Sequence, residues 1–320
     1  MTRLACSDIH LNINRRLEDT ESSLYQITEL AGKYGVKQIL VLGDIYHSRK
    51  PHSLERFIFA KWVQHTTSKY PNIEFVILPG NHDSYPDGIH SLLEFQVLGA
   101  ERVKIVPNCH TEGGIFMGHL LLKDALIGTG LYTSEQGMTA DELVAKYPNC
   151  KAYLLGDVHR HQVLKETPLV AYTGSIAHVD FAERNDLKGV IILNEKVTGE
   201  VAWEFVPLHT RPMVQYDVFP PYDLELPKIE GAIVKVIVNG TRDEVKSFDE
   251  QKLRMHLSQA KELSIEFDIA TEYRARDSRF TETTSPLDAL KQYVDNLEIS
   301  EQEKTKVMEL GREVMEKCRS

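Results

Sequence analysis

The chain has 320 residues, of which 42% are hydrophobic and 26% charged, a composition that excludes disorder as the main state and suffices for one large domain or two with a full core. A net charge of -10 argues against holding nucleic acid by bulk electrostatics alone, while leaving room for a local basic groove. Four scattered cysteines (Cys6, Cys109, Cys150, Cys318) form no C-x-x-C pair, so neither a disulfide framework nor a cysteine zinc site is expected, and a reducing, cytoplasmic setting is.

The first element is the strand-like "RLACSD". Leu24, Ile27, Leu30 and Tyr34 then recur at helical spacing up to Gly35, and "QILVLGD" follows, which reads β, α, β. Ser53 is the expected N-cap of a second helix carrying Leu54, Phe57, Ile58 and Trp62; "IEFVILPGNHD" and a short helix over 91–98 come next. Buried strands joined by helices predict a layered α/β domain. From about 162 the strands "QVLKE", "LVAYTGS", "GVIIL" and "EVAWEFV" lie closer together, a more antiparallel second half of the same core. The first domain is expected to span 1–208. A Pro-rich "FPPYDLELP" opens a second, 209–280, in which "GAIVKVIVNG", a helical "DEVKSFDEQKLRMHL" and "ELSIEFDIA" make a βαβ module. The segment 281–320 carries two helices, one opened by Ser285 and Pro286, the other by Ser300 with Glu303 as a capping box. No apolar run approaches a membrane span, so neither a signal peptide nor an anchor is expected.

Ligand-type residues collect at strand ends. Asp8 and His10 follow the first strand, Asp44 follows "ILVL", Asn81 and His82 follow "FVIL", His119 follows "GIFM", and Asp157 and His159 follow "YLL". Sites in open α/β sheets are built at that carboxyl edge, so these positions should meet. Singly, a D-x-H is an ordinary turn, "GNHD" a glycine turn and His119 a core histidine. Five such sets at five strand ends point instead to metal ligation. In "GDVHRHQ", Asp157, His159 and His161 fall on every second residue and could project the same way from an extended segment.

The motifs "DIH" (8–10), "GD" (43–44), "GNHD" (80–83), "GH" (118–119) and "GDVH" (156–159) resemble, in order and spacing, those of the calcineurin-like metallophosphoesterases. More narrowly, "GDIYHSRKP" and "YTGSIAHVDFAERNDLKG" are similar to segments of the SbcD-type nucleases of bacterial and phage double-strand-break processing. The module near 212–275 is similar to their capping domain. The resemblance implies an α/β fold, a four-layer sandwich of helices flanking two packed mixed sheets, with a small α+β capping domain and C-terminal helices. It also implies two divalent metals, with manganese expected from the mixed oxygen and nitrogen donors and iron or zinc suited to the same set.

By the same resemblance Asp8, His10 and His159 hold one metal, Asn81 and His119 the other, and Asp44 bridges them. His82 would contact the scissile phosphate and assist the leaving oxygen, oriented by His47. Relatives usually read G-H-x-H where this chain has Asp157. Either Asp157 supplies an oxygen to the second metal, or His161 replaces the missing imidazole, or the second site is weak. Arg15, Arg16, Arg49, Lys50 and Arg160, with Arg274, Arg276 and Arg279 beyond the cap, are the candidate contacts to a DNA backbone.

The implied function is a manganese-dependent nuclease, double-strand exonuclease and single-strand endonuclease, working with an SbcC-like ATPase in DNA end processing, repair and recombination. A homodimer is expected through Phe57, Ile58, Trp62, Leu92, Leu93 and Phe95. The stripes Leu287, Leu290, Val294, Leu297 and Val307, Leu310, Val314 would dock on the ATPase's coiled coil. A phosphoesterase acting on a small molecule or a protein, and a non-catalytic scaffold, are the alternatives.

Overall fold

The computed structural model describes residues 1–93, 95, 102–128, 132–133, 137–269, 290–291, 294–295 and 300–317. The elements run β1 (Thr2–Cys6), α1 (Leu17–Lys33), β2 (Gln38–Leu42), α2 (Ser53–Lys69), β3 (Glu74–Leu78), β4 (Val103–Ile105), β5 (Cys109–Glu112) and β6 (Ile115–His119). There follow β7 (Leu126–Ile127), β8 (Tyr132–Thr133), α3 (Ala140–Lys146), β9 (Ala152–Gly156), β10 (Gln162–Glu166), β11 (Leu169–Tyr172), β12 (Gly189–Glu195) and β13 (Val201–Pro207). The remainder is β14 (Met213–Val218), β15 (Ile233–Gly240), α4 (Arg242–Val245), α5 (Glu250–His256), β16 (Glu262–Ile269) and α6 (Glu301–Lys317). Six strands form one sheet in the order β13-β12-β1-β2-β3-β4, and five form a second in the order β10-β11-β9-β6-β5. Both sheets are mixed: β1 pairs parallel with β2 but antiparallel with β12, and β9 pairs parallel with β6 and β11 while β10 and β5 run antiparallel to their neighbours.

Period-two alternation sorts the central side chains into layers. Leu4 and Cys6 of β1, Ile39 and Val41 of β2, and Phe75 and Ile77 of β3 share a buried cluster with Leu24 and Ile27 of α1 and Phe59 and Trp62 of α2. Their alternates Ala5, Leu40, Leu42, Val76 and Leu78 join Met117, Ala152, Leu154 and Ala171 of the second sheet. On that sheet's far face Phe116, Tyr153, Leu155 and Val170 pack with Ala140 and Leu143 of α3. Helix, sheet, sheet and helix therefore stack as four layers, as the resemblance implied.

Several local expectations are corrected. The N-cap of α2 is His52, not Ser53: His52 Nδ1 accepts from Leu54 N and Glu55 accepts from His52 N at 2.8 Å. Glu55 also accepts from Ile13 N at 2.7 Å, which ties the loop after β1 to this helix. Ile58, Trp62 and Leu92 are core residues, whereas Phe57 and Leu93 are 60% and 40% exposed, so fewer apolar side chains are available to a second copy. The single helix expected over 243–257 breaks into α4 and α5, because Asp249 caps a new start by accepting from Lys252 N at 2.8 Å. In the short helix expected over 91–98, residues 94 and 96–98 lie outside the described residues, as do Arg274, Arg276, Arg279, Leu287, Leu297, Cys318 and most of the first C-terminal helix.

Chain contacts group 1–214, 228–234 and 259–263 as one unit, and 215–227, 235–258 and 264–320 as another. A three-stranded sheet, β14-β15-β16, runs through 213–269. In the second unit Val236, Val238 and Leu253 are fully buried. Ser300 and Glu303 cap α6 reciprocally, and Leu290 meets that helix at Gly311, where a Cβ would lie 2.2 Å from Leu290 Cδ2. Among the described residues no helix is long and apolar enough to cross a membrane.

Candidate metal centre

The strand ends carrying the motifs are held in unusual backbone. Asp8, His10, Asp44 and Asp157, with φ of 50, 48, 51 and 91, are four of the five non-glycine residues with positive φ among those described. Each such conformation costs about 1–3 kcal/mol and persists only where its surroundings enforce it. Two glycines allow the close approach. A Cβ on Gly43 would lie 2.3 Å from His119 Nδ1, and one on Gly80 would lie 2.0 Å from Asp44 Oδ1.

These turns bring five strand ends to one place. Asp44 is at the middle: its Oδ1 is 3.4 Å from His119 Nε2 and its Oδ2 3.6 Å from His10 Nε2. On one side His10 Nε2 lies 3.0 Å from His159 Nε2, and Asp8 accepts from Asp157 N at 3.2 Å. On the other, His119 Nε2 is 2.9 Å from Asn81 Oδ1 and 3.6 Å from Asp157 Oδ1. Ligand atoms of Asp8, His10 and His159 lie within 4.8 Å of one another, as do those of Asp8, Asp44 and His119.

Electrostatics set this cluster apart from an ordinary polar core. Burial pushes the carboxyls of Asp8 and Asp157 up, and burial together with the neighbouring His159 pushes His10 down to about 3. Burial also opposes charge on His119, but its hydrogen bond to Asp44 and the charge of Asp8 push it up to about 10. The rings are oriented from behind. A ring nitrogen facing a carbonyl or a carboxylate must be the donor, so His119 Nδ1 donates to Leu42 O at 2.7 Å and His159 Nδ1 to Glu183 Oε1 at 2.6 Å. Nε2 of both then faces inward, and on His119, where it points at oxygens of Asp44 and Asn81, it carries a proton that a bound cation would displace. Converging ring nitrogens and anions with mixed oxygen and nitrogen donors fit two divalent cations.

His161 stays out of this cluster. Its ring stacks on Phe205 at 3.9 Å and 11°, and its Nδ1 donates to Tyr172 O at 2.8 Å. Asp157, His159 and His161 therefore do not share a direction, because the positive φ at Asp157 turns the chain out of the extended path on which the period-two reading depended. His82 donates through Nδ1 to the carbonyl of His47 at 2.8 Å, and its ring lies 5.1 Å from that of His10. The orienting contact expected of the His47 ring thus comes from its main chain. Among the basic residues, Arg15 donates to Val179 O and lowers the pKa of His47 behind burial and His82, and Arg16 is held by His178 O and Glu262. Arg49 lines a cleft with Gly80, Asn81, His119 and Asp157. Lys50 is exposed, and Arg160 sits 3.9 Å from Asp186.

Asp83, the last residue of "GNHD", braces the centre from behind. It is fully buried and accepts from Ile45 N, Tyr46 N and Gly80 N at 3.1, 3.0 and 2.9 Å, so it pins the loop bearing Asp44 to the loop bearing Asn81 and His82. Burial pushes its carboxyl up to about 6 in spite of those donors. Asp83→Ala should leave three buried N–H groups unsatisfied, at about 1–3 kcal/mol each, and lower the melting temperature of the metal-free protein by roughly 6 °C or more. Calorimetry checks this, and an unchanged melting temperature would contradict it.

Residues 1–191 match the family of calcineurin-like phosphoesterases. Among solved structures the chain is similar to the nuclease MPE of Pseudomonas putida, at 17% identity over 60% of this chain and 83% of that one, with a TM-score of 0.33. It is also similar to the cold-active protein-tyrosine phosphatase of a psychrophilic Shewanella, at 12% identity over 64% and 80% of the two chains, with a TM-score of 0.34.

Proposed function

This chain belongs to the calcineurin-like phosphoesterases, a family of metal-dependent hydrolases, and from that premise we propose that it is a two-metal DNA nuclease of the SbcD type. The observation that carries this reading is that two clefts at the centre each carry a guanidinium, Arg15 in one with His10 and His47, and Arg49 in the other with Asn81, His119 and Asp157. A phosphodiester continues on both sides of its phosphorus and can meet both, whereas a monoester ends there. Backbone contacts of this kind grip DNA without reading its sequence.

Asp8, His10 and His159 would hold one ion, Asn81, His119 and Asp157 the other, and Asp44 both. Bound there, divalent ions neutralise the diester and lower the pKa of the attacking water. The protein's own part is to hold the phosphate in line and to supply a proton. With Nδ1 of His82 committed to the His47 carbonyl, its Nε2 is left to meet the leaving oxygen. An aspartate in place of the usual imidazole favours a harder ion, manganese rather than zinc. Asp157→His should accordingly keep or raise activity, and Asp157→Ala should deplete one metal. Two full equivalents by elemental analysis in Asp157→Ala would move the ligand role to His161.

The same reading assigns work in DNA end processing, repair and recombination in the cytoplasm, with an SbcC-like ATPase. Exposed Leu310 on α6 suits docking of that partner, and exposed Leu54, Phe57 and Leu93 suit a homodimer. Incubation with manganese, linear duplex DNA, a generic aryl phosphodiester and an aryl monoester tests the substrate class. Degradation of the duplex and the diester is expected. Turnover of the monoester alone would make the protein a phosphatase, and no turnover a scaffold.

A further inference from the structure

Lys188 is the one buried lysine among the described residues, and its side chain has no exposed area. An ammonium in that position is costly unless it is paired and hydrogen-bonded. Its Nζ donates to Glu183 Oε2 at 2.7 Å and to the carbonyl of His159 at 3.1 Å. Glu183 in turn accepts from His159 Nδ1 through Oε1 at 2.6 Å, and from Val179 N through Oε2 at 3.1 Å. Lysine, glutamate and histidine so close a ring in which Lys188 holds both the main chain of His159 and the carboxylate that holds its imidazole. Wholly buried, Lys188 cannot reach a substrate.

The three imidazoles of the centre are backed unequally. His159 has a carboxylate behind it, His119 the main-chain carbonyl of Leu42 at 2.7 Å, and His10 Nδ1 has no partner among the described residues. A carboxylate makes an imidazole a stronger ligand than a carbonyl does, and removing such a partner typically costs 10–100-fold in metal affinity. The oxygen donors favour the same side as His159, where Asp8 is fully buried, over the opposite side of Asp44. Asn81 there is neutral and exposed, and the Asp157 side chain is 30% exposed.

We propose that Glu183 and Lys188 are positioning residues for His159, and that they make the Asp8, His10 and His159 position the tighter of two metal sites, so that the ions load in a fixed order. This rests on the two-metal reading of the centre and not on DNA as its substrate.

Manganese titration of metal-free protein, followed by the paramagnetic resonance of the free ion, contains no DNA and so separates the two readings. The wild type should take up two ions in steps at least about tenfold apart. Glu183→Gln keeps the size and loses the charge; it should weaken the first step by about 10–100-fold and leave the second in place. Lys188→Met should weaken the same step. Each single variant leaves one buried charge unpaired, so the double variant E183Q/K188M, which removes both, is titrated beside them and should also lose the tight step. A wild-type isotherm in any folded variant, or equal weakening of both steps, would overturn the proposal. A wild type that binds no manganese would overturn the two-metal reading with it.

Discussion

Asp44→Ala is expected to abolish hydrolysis and metal loading together. Its two oxygens face different histidines, His119 at 3.4 Å and His10 at 3.6 Å, so one truncation takes a ligand from each position. It also leaves His82 N without the acceptor it has at 2.9 Å. The fields that favour a cation between Asp8, Asp44 and the histidines then collapse, and the expected fall in kcat exceeds about a thousandfold, since the water of lowered pKa and the charge neutralisation go at once. Elemental analysis after manganese loading should find fewer than two equivalents. A variant that kept two would deny Asp44 the bridging position.

His82→Ala should separate chemistry from metal binding. Its Nδ1 is bonded to a carbonyl and its ring stands beside His10, a place from which Nε2 can serve a leaving oxygen. Loss of a general acid costs about 10²–10⁴ in rate, so kcat should fall by that factor while two manganese equivalents remain. The loss should shrink on a diester whose leaving group is already acidic, such as an aryl diester, because such a group departs without a proton. Equal loss on aryl and alkyl diesters would exclude the acid role.

Much of this was legible in the sequence for local reasons. A glycine followed by Asp at the end of an apolar strand announces a turn that presents a carboxylate, and "GD" at 43–44 does so. That the domain is layered was legible because apolar strands alternate with helix-period segments, whereas the four layers were implied by the resemblance alone, since β1, β2 and β3 are apolar on both faces. What escaped was whatever depends on partners distant in sequence or on one backbone angle. His161 has the spacing of a ligand, yet the φ of Asp157 and the face of Phe205 take it elsewhere. Ile58 and Trp62 share a helix with Phe57, and only packing on β3 and α1 shows which of them is core. Glu183 meets His159 from 24 residues away, a distance over which no periodicity carries information. His52 took the cap from Ser53 because a ring nitrogen can accept as well as a hydroxyl can.

The most direct measurement is an anomalous difference map at the manganese edge from crystals grown with the ion. Two peaks about 3.5–4 Å apart, one on each side of Asp44, are expected, with an oxygen of Asp157 on the peak that His119 and Asn81 share and the His161 ring still stacked on Phe205. A single peak at full occupancy, or a His161 ring turned onto the second ion, would contradict the centre as described.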